Sequence, residues 1–213
     1  MDATPHGQAL PPSGKPILSL PGNITLRPNQ LGDIDSICHH ASNKNIWNNL
    51  RNRMPHPYTP ADATWWINHC QESINLVRTG PLDTETNQGS GPAIVTHYGV
   101  CINDEVVGSI GLEFGDPVDV YFRTAELGYW LGEEHWGKGV MGKVAPAFME
   151  WTWATFGVLI RVNGSVKEGN VASQRCLEKA GFVYEGRKRR AMVKNGVVLD
   201  EIMLGALRPG SEE

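Results

Sequence analysis

The sequence predicts a mixed α+β fold, with one sheet of about seven strands flanked by about four helices. Hydrophobic residues recur at strand spacing in some segments and at helix spacing in others. In chain order the segments predict a strand, two helices, three strands, a helix, a strand, a helix and two strands. A doubly wound sheet would alternate strand and helix throughout, so this order excludes that class.

The first predicted strand is NITLRPNQ, and two helices follow it. Apolar residues at helical spacing favour a helix within residues 33–50, with Asp33 as its N-cap. The second helix begins at Thr59 and Pro60, because Thr caps a helix and Pro suits its first position.

The next three strands include a predicted hairpin. AIVTHYGVCI and EVVGSIGLEF show strand-like patterning and flank Asn103-Asp104, a dipeptide that suits a two-residue turn. A polar, Gly-rich insertion over residues 80–92 precedes the hairpin, and we expect it to be mobile. TAELGYWLG is the third strand of this group.

A long helix follows this third strand. GKVAPAFMEWTWATFG predicts a helix that begins near Gly142 and stops at Gly157. Pro146 supports this start, because proline is best tolerated in the first turn of a helix.

The C-terminal part contains a strand, a short helix and a second hairpin. VLIRVNGSV is the strand, and Asn170 then caps a helix that Gly181 ends. Leu177 and Phe182 are spaced for the apolar contact of a Schellman motif. Asn195-Gly196 is the predicted turn of the closing hairpin.

Length and composition bound the class of protein. With 213 residues, 40% hydrophobic and 20% charged, the chain fits a globular protein of one domain over residues 23–209. Residues 1–22 are rich in Pro and Gly and predict a flexible extension, and residues 210–213 a tail. The net charge of −4 argues against general nucleic-acid binding and is compatible with an amine substrate.

Cysteine spacing and hydropathy bear on the compartment. The four cysteines are scattered with no C-x-x-C pair, so the sequence shows no zinc or redox signature and favours buried, reduced thiols. The N-terminus does not resemble a secretory signal, and no segment reaches the ~20 apolar residues that span a membrane. We therefore expect a cytoplasmic protein without membrane contact, the nucleus not being excluded.

The stretch HWGKGVMGK is typical of a phosphate-binding turn. Three glycines between a strand that ends near Leu131 and a helix leave main-chain amides bare at a helix N-terminus, where anions bind. A triphosphate loop would need a hydroxyl after Lys143, but Val144 stands there. A dinucleotide turn would need an acid near residues 160–164, and none is present. A pyrophosphate cradle for an acyl carrier and a glycine-rich connection without a ligand both stay open.

Four segments together resemble the GNAT acetyltransferase superfamily. AELGYWLGEEHWGKGVMGK and EGNVASQRCLEKAGF resemble its carrier-binding patterns. LRNRMPHPYTPADATWWI and KNGVVLDEIMLGAL resemble the branch of ribosomal-protein N-terminal (alanine/serine) acetyltransferases. The similarity covers about residues 23–208.

The resemblance implies a splayed mixed sheet with acetyl-coenzyme A between its middle strands. In such proteins the pantetheine arm pairs with the strand before the glycine turn, the pyrophosphate lies on the amides of the turn, and an asparagine contacts the carrier. The residues implied here are Trp130, Leu131, Gly132, Gly137, Lys138, Gly139, Val140, Met141, Gly142, Asn170 and Ser173.

Three positions depart from the family pattern. Met141 stands where Ala or Gly is usual, and Gly142 where Thr or Ser is common; both are compatible with binding by amides if the Met141 side chain turns into the core. Leu177 occupies the place of a tyrosine that protonates the leaving thiolate in many members. Ser173, near the expected thiol, is the candidate substitute.

Acyl transfer to an amine needs a proton acceptor, because an alkylamine is mostly protonated at pH 7. Alternation puts Glu126 on one face of its strand with Gly128 and Trp130. The resemblance implies that this face is the floor of the acceptor site, so Glu126 is the first candidate. The alternative interpretation of Glu126 is a structural ion pair or a solvated carboxylate. Glu113 is the second candidate base, and an amide near Leu131 would polarise the thioester carbonyl.

The resemblance thus predicts an N-acetyltransferase that moves an acetyl group from acetyl-CoA to a protein N-terminus or a small amine by direct attack, with no metal. A non-catalytic CoA-binding or interaction module of the same fold is the alternative. The expected partners are acetyl-CoA and the amine acceptor, with no nucleic acid and no membrane, in a monomer or a homodimer.

Overall fold

A computed structural model describes residues 15–210, and an eight-stranded mixed sheet forms its centre. In chain order its strands are β1 (Leu18–Leu20), β2 (Ile24–Arg27), β3 (Val77–Arg78), β4 (Leu82–Asp83), β5 (Gln88–Gly89), β6 (Ala93–Ile94), β7 (His97–Ile102), β8 (Glu105–Phe114), β9 (Thr124–Leu131), β10 (Arg161–Lys167), β11 (Val183–Lys194) and β12 (Val197–Leu207). The helices are α1 (Ile34–Ala41), α2 (Lys44–Trp47), α3 (Pro60–Gln71), α4 (Val140–Thr155) and α5 (Val171–Lys179). The predicted α+β class is confirmed.

The large sheet has the order β1-β2-β7-β8-β9-β10-β12-β11. The sheet has one strand more than the seven predicted. The additional strand is β1, which lies inside the stretch expected to be a flexible extension. Leu18 pairs with Leu26 of β2 and packs on the core, which accounts for its order. The rest of the predicted extension, residues 1–14, lies outside the described residues.

The first predicted helix is divided into α1 and α2. Asn43 separates them by turning its backbone into the extended region and capping α2, where its side chain accepts a hydrogen bond from the Asn45 amide. Asp33 occupies the N-cap position of α1, but its carboxylate binds Arg27 instead of capping the helix. The Thr59 cap of α3 is confirmed and forms a capping box with Asp62.

The insertion over residues 80–92 contains regular structure. Strands β4 and β5 pair within it, and β3 and β6 pair at its edges. The backbone at Gly89 lies close to the backbone of residues 78–79, so a Cβ on Gly89 would lie 2.2 Å from the Thr79 carbonyl oxygen. The backbone pairing that Gly89 permits was not visible in the polar composition.

Helix α4 starts two residues earlier than predicted, with Gly139 as its N-cap, and Pro146 lies in its interior. The prediction that Pro146 lies in the first turn of this helix was therefore wrong. The left-handed φ of 73° at Gly139 turns the chain into the helix and sets its start. Gly157 lies beyond the helix, and its amide donates to the Gly80 carbonyl at 2.9 Å.

Helix α5 and both hairpin turns follow the predictions. The Phe182 amide donates to the Leu177 carbonyl at 3.1 Å, the bond that closes a Schellman motif. Asn103 and Asp104 both have positive φ, as do Asn195 and Gly196, which matches the turn that a two-residue hairpin prefers.

Two apolar clusters cover the two faces of the sheet. The larger one joins α4 and α5 to β7–β10 and has Phe148 at its centre, fully buried against Tyr98 and Trp151. The smaller one joins α1 and α3 to the other face, through Cys101 and Val106. Successive strand residues point to opposite faces, so this division follows from the strand pattern.

Strands β9 and β10 lie side by side but pair only at their beginnings. Thr124, Ala125 and Glu126 pair in parallel with residues 161–163, and the described strands then diverge. Beyond that point β10 pairs only with β12, and β9 only with β8. The sheet is therefore splayed, as the resemblance implied. Among the described helices, none has the length and apolar character needed to cross a bilayer.

Replacing Phe148 by Ala should lower the free energy of unfolding by about 3–5 kcal/mol, because it leaves a cavity in the larger cluster. Urea denaturation followed by circular dichroism measures this change. The control is Glu150→Ala, an exposed position on the same helix, for which we expect a change within about 0.5 kcal/mol. Equal effects of the two substitutions would contradict this assignment of the core.

Stability should also depend on His97, whose ring is packed against Gly111 and edge-on to Trp66. Burial lowers its pKa to about 4, whereas an unfolded histidine titrates near 6.5. On acidification the unfolded state takes up the proton first, so the stabilisation present above about pH 7 is lost as the pH falls to 4.

Between pH 7 and 4, the wild type should therefore lose roughly 3 kcal/mol more stability than the His97→Gln variant does. Urea titrations of both proteins across this range make the comparison, and the carboxylates common to both cancel. Parallel curves for the two proteins would show that His97 protonates normally in the folded state.

Candidate functional site

The glycine turn presents bare main-chain amides to open space. Gly137 and Gly139 have φ of 71° and 73°, and a Cβ on either would meet no atom within 4 Å. No side chain caps the first turn of α4. The first amides of a helix have no acceptor within it, so these groups and the helix dipole form a site for an anion.

Side chains around the turn agree with this use. Val140 is buried. The Met141 side chain packs on the larger cluster, which meets the condition that it turn into the core. Lys138 is exposed. The Lys179 ammonium of α5 lies 3.7 Å from the place that a Cβ on Gly142 would take. A cation on α5 therefore stands beside the turn.

The end of β9 leads into this turn. The Gly132 amide donates to Val107 of the β8 side at 2.7 Å. Amides alternate in direction along a strand, so those of Leu131 and Tyr129 point away from β8, toward the gap beside β10. The Leu131 carbonyl accepts a 2.7 Å hydrogen bond from the Trp136 indole. Gly132 is required for close packing, because a Cβ there would lie 2.5 Å from Nδ1 of His40.

Helix α5 faces β9 across the gap. The Asn170 side chain accepts from the Ser173 amide at 3.2 Å, so its capping role is confirmed. The Ser173 hydroxyl lies 2.8 Å from the Tyr129 hydroxyl, which also donates to the Ser173 carbonyl at 3.1 Å. Burial raises the pKa of Tyr129, so this phenol is protonated at neutral pH.

The resemblance implied that the backbone from Tyr129 to Gly132 pairs with the pantetheine arm, but it gave the Tyr129 side chain no role. Because side chains alternate along a strand, the Tyr129 side chain points to the face opposite Glu126 and Trp130. This alternation was the sequence signal that could have placed its hydroxyl near α5. Leu177, which has no ionisable group, is buried and packs on Gly164. The hydroxyl groups near the expected thiol are those of Ser173 and Tyr129.

On the other face, the two candidate bases lie side by side. Glu113 and Glu126 are direct partners in the β8–β9 ladder. Arg51 pairs with Glu126, and Arg53 pairs with Glu113. Burial raises the pKa of Glu113, but the Arg53 guanidinium outweighs it and the net shift is downward. The ion pair that was the alternative interpretation of Glu126 is thus present.

A continuous cleft of about 1880 Å³ connects these groups. It runs from the glycine turn and α5 past Tyr129 and Glu126 to aromatic residues of α3. At that end Trp65 stacks on His69 with ring centroids 4.6 Å apart. One end of the cleft therefore offers amides and cations, and the other offers carboxylates, arginines and aromatic rings.

One group of side chains within residues 15–210 has the composition of a metal site. His39, His40 and Glu134 bring ligand-type atoms within 4.8 Å of one another beside Gly132. His39 and Glu134 already bind each other, with 3.0 Å between Nε2 and Oε1. The sequence predicted no metal site, and none of the proton-transfer candidates belongs to this group.

Comparisons with known proteins agree with this geometry. Residues 23–183 match the acetyltransferase (GNAT) domain family. The chain is 32% identical over 119 residues to a probable N-acetyltransferase, YjcK, of Bacillus subtilis, covering 55% of this chain and 64% of that protein. It is 32% identical over 141 residues to the ribosomal-protein-serine acetyltransferase of Escherichia coli, covering 63% and 74% of the two chains.

Among solved structures, the fold is similar to RimL, a ribosomal L7/L12 α-N-protein acetyltransferase in complex with coenzyme A. The TM-score is 0.71 with 17% identity, and the match covers 91% of this chain and 98% of that one. At this identity the likeness concerns the fold. The splayed sheet, the open glycine turn and the match over residues 23–183 lead to one conclusion: the chain belongs to the GNAT acetyltransferase family.

Proposed function

We propose that the chain is an acetyl-CoA-dependent N-acetyltransferase that transfers the acetyl group to a primary amine by direct attack on the thioester. The observation that carries this proposal is the open row of amides at Gly137–Gly142, placed where β9 and β10 part. Family membership supports the reaction, and the relatives quoted above are named N-acetyltransferases. The four cysteines, all free thiols, fit a reducing compartment such as the cytoplasm.

The carrier would lie in the cleft with its pyrophosphate on the turn. Amides from Gly137 to Gly142 bind the diphosphate oxygens, and Lys179 adds a positive charge beside them. The outward amides of Tyr129 and Leu131 pair with the pantetheine arm, and the Leu131 amide polarises the thioester carbonyl. Asn170, at the start of α5, contacts the arm from the other side.

Glu126 accepts the proton of the acceptor ammonium and so releases the free amine that attacks the carbonyl carbon. This role requires the carboxylate to exchange its Arg51 partner for the acceptor. Exposed ion pairs of this kind contribute only about 0–1 kcal/mol, so breaking the pair costs little free energy. Glu113, its ladder partner, is the second candidate for the same role.

Ser173 donates its hydroxyl proton to the thiolate as the carbon–sulfur bond breaks. Its Oγ is hydrogen-bonded to the Tyr129 hydroxyl, which can return a proton to it and recover one from solvent. The pair supplies from two elements what a single tyrosine on α5 supplies in many members. Tyr129 acts through Ser173 and is a positioning residue in this scheme.

A non-catalytic carrier-binding module is the second candidate. The observations in its favour are the apolar, buried Leu177 and the ion pair that occupies Glu126. Such a module would bind the carrier at the same turn without transferring its acetyl group. The two candidates therefore differ in thiol release and agree in binding.

Gly139→Ala should weaken acetyl-CoA binding at least tenfold, because a methyl group enters the anion site and left-handed φ costs about 1–2 kcal/mol in a non-glycine residue. Isothermal titration calorimetry measures the affinity. Gly196→Ala is the matched control, since Gly196 has φ of 77° and equally open surroundings in a distant hairpin. Absence of binding by the wild type would refute both candidate functions.

Glu126→Gln and Ser173→Ala should each lower kcat/KM by about 10²–10⁴-fold, and Glu126→Gln should leave binding of acetyl-CoA unchanged. The assay follows free thiol released from acetyl-CoA with a panel of amines and N-terminal peptides. Raising the pH should partly rescue Glu126→Gln, because free amine then forms without the base.

The control is Glu178→Gln, an exposed position of α5 that should keep wild-type activity. Tight binding without thiol release for any acceptor would favour the module. Full activity of Glu126→Gln would transfer the role of base to Glu113 or another group.

A further inference from the structure

The two arginines beside the candidate bases belong to a segment fixed to the far end of the sheet. We call residues 48–54 the strap; they follow α2 in the chain, and several of them line the cleft. The Lys194 ammonium donates to the Leu50 carbonyl at 3.0 Å and to the Asn52 side chain at 2.8 Å. It also lies 3.3 Å from the centre of the Trp47 ring. Lys194 is only 7% exposed, so this anchor is shielded from solvent.

A second anchor holds the beginning of the strap. The Lys167 ammonium of β10 donates to the Asn48 carbonyl at 2.9 Å. The side chain of Asn195, in the closing hairpin, donates to the Asn48 side chain at 2.9 Å. These contacts do not involve Arg51 or Arg53. The backbone can therefore stay in place while either guanidinium changes its partner.

The arginines themselves are exposed and placed for exchange. The side chains of Arg51 and Arg53 are 53% and 63% exposed, although each pairs with a carboxylate of the cleft. Screened pairs of this kind are weak. Each arginine thus has a fixed backbone and a weakly paired guanidinium group. Such a group is suited to bind a carboxylate of an incoming ligand.

Charge balance indicates which ligand that is. Two carboxylates and two guanidiniums cancel, and the neighbouring His97 is neutral at pH 7 because burial lowers its pKa. Two other acids of the cleft accept hydrogen bonds from nearby amides: Asp62 from Thr59, in the capping box of α3, and Asp116 from Val118. An ammonium that takes Glu126 therefore leaves Arg51 without a partner, unless the acceptor brings its own negative group.

We propose that Arg51 and Arg53 bind acidic side chains of the acceptor, and that the acceptor is a peptide N-terminus followed within a few residues by Asp or Glu. This inference rests on the proposed function. In an extended peptide each residue adds about 3.3 Å, so an acid at the second or third position can reach the strap from an amine at Glu126. The cleft exceeds the roughly 300–1,000 Å³ of a small-molecule site, leaving room for carrier and peptide.

A polyamine fits the same surroundings poorly. Its second ammonium would approach Arg51, the guanidinium that the first ammonium had displaced from Glu126. Like charges brought together in this way are a common means of rejecting a wrong partner. The acidic peptide and the polyamine therefore make opposite predictions for the same two arginines.

The experiment compares three peptides with the same N-terminal alanine, followed by Asp-Glu, Asn-Gln or Lys-Lys. Their binding to the full chain is measured by calorimetry in the presence of coenzyme A, and their acetylation by thiol release. We expect the acidic peptide to bind about tenfold or more tightly than its neutral isostere, and this preference to weaken with salt. Spermidine should be the poorest acceptor.

The double variant Arg51→Gln/Arg53→Gln should lose this preference, and Arg51→Lys/Arg53→Lys should keep part of it. Arg161→Gln is the matched control, since Arg161 pairs with Glu185 outside the cleft. Thermal unfolding of each variant confirms that it is folded.

Three results would overturn the inference: equal or better binding of the lysine peptide, a preference that survives the glutamine variants, or no peptide binding at all. Arginine-dependent binding of the acidic peptide without thiol release would support the inference and refute the proposed transferase. Acetylation of other amines without the acidic preference would support the proposed transferase and refute the inference.

Discussion

The end of pairing between β9 and β10 is the feature on which the rest of the site depends. Two parallel strands that stayed together would satisfy each other's amides and leave no gap. Because they part after Glu126, the amides of Tyr129 and Leu131 face an open cleft. Helices α4 and α5 follow the ends of the same two strands, so both helix N-termini lie at one end of that gap. The glycine turn and Ser173 thereby line the same cleft.

The two sides of the cleft use different physical means. On the side proposed for the carrier, main-chain amides and a helix dipole are available to an anion, and Gly137 and Gly139 keep the backbone bare there. On the acceptor side, charged side chains from the strap meet carboxylates from the sheet. Lys194 fixes the strap independently of those pairs. In the proposed scheme, carrier binding is thus tied to the fold itself, whereas acceptor choice depends on a few exchangeable side chains.

The departure at Leu177 is matched by a hydroxyl group from another element. A leucine there packs on Gly164 and removes the usual acid from α5. Tyr129, on the facing strand, returns a phenol to the same region through Ser173. The substitution at Met141 is accommodated in a similar way, because its side chain packs on the core and leaves the amide exposed.

The sequence by itself determined the α+β class, both hairpin turns, the caps at Thr59 and Asn170, and the glycine turn, since short-range sterics and hydrogen bonds specify these features. Other outcomes needed the tertiary structure. Gly139, not Pro146, sets the start of α4, and the Leu18 strand forms because β2 offers it a partner. The contact of Arg51 with Glu126 joins residues 75 positions apart. No local pattern specifies such a pair, because only the packed fold decides which distant charges meet.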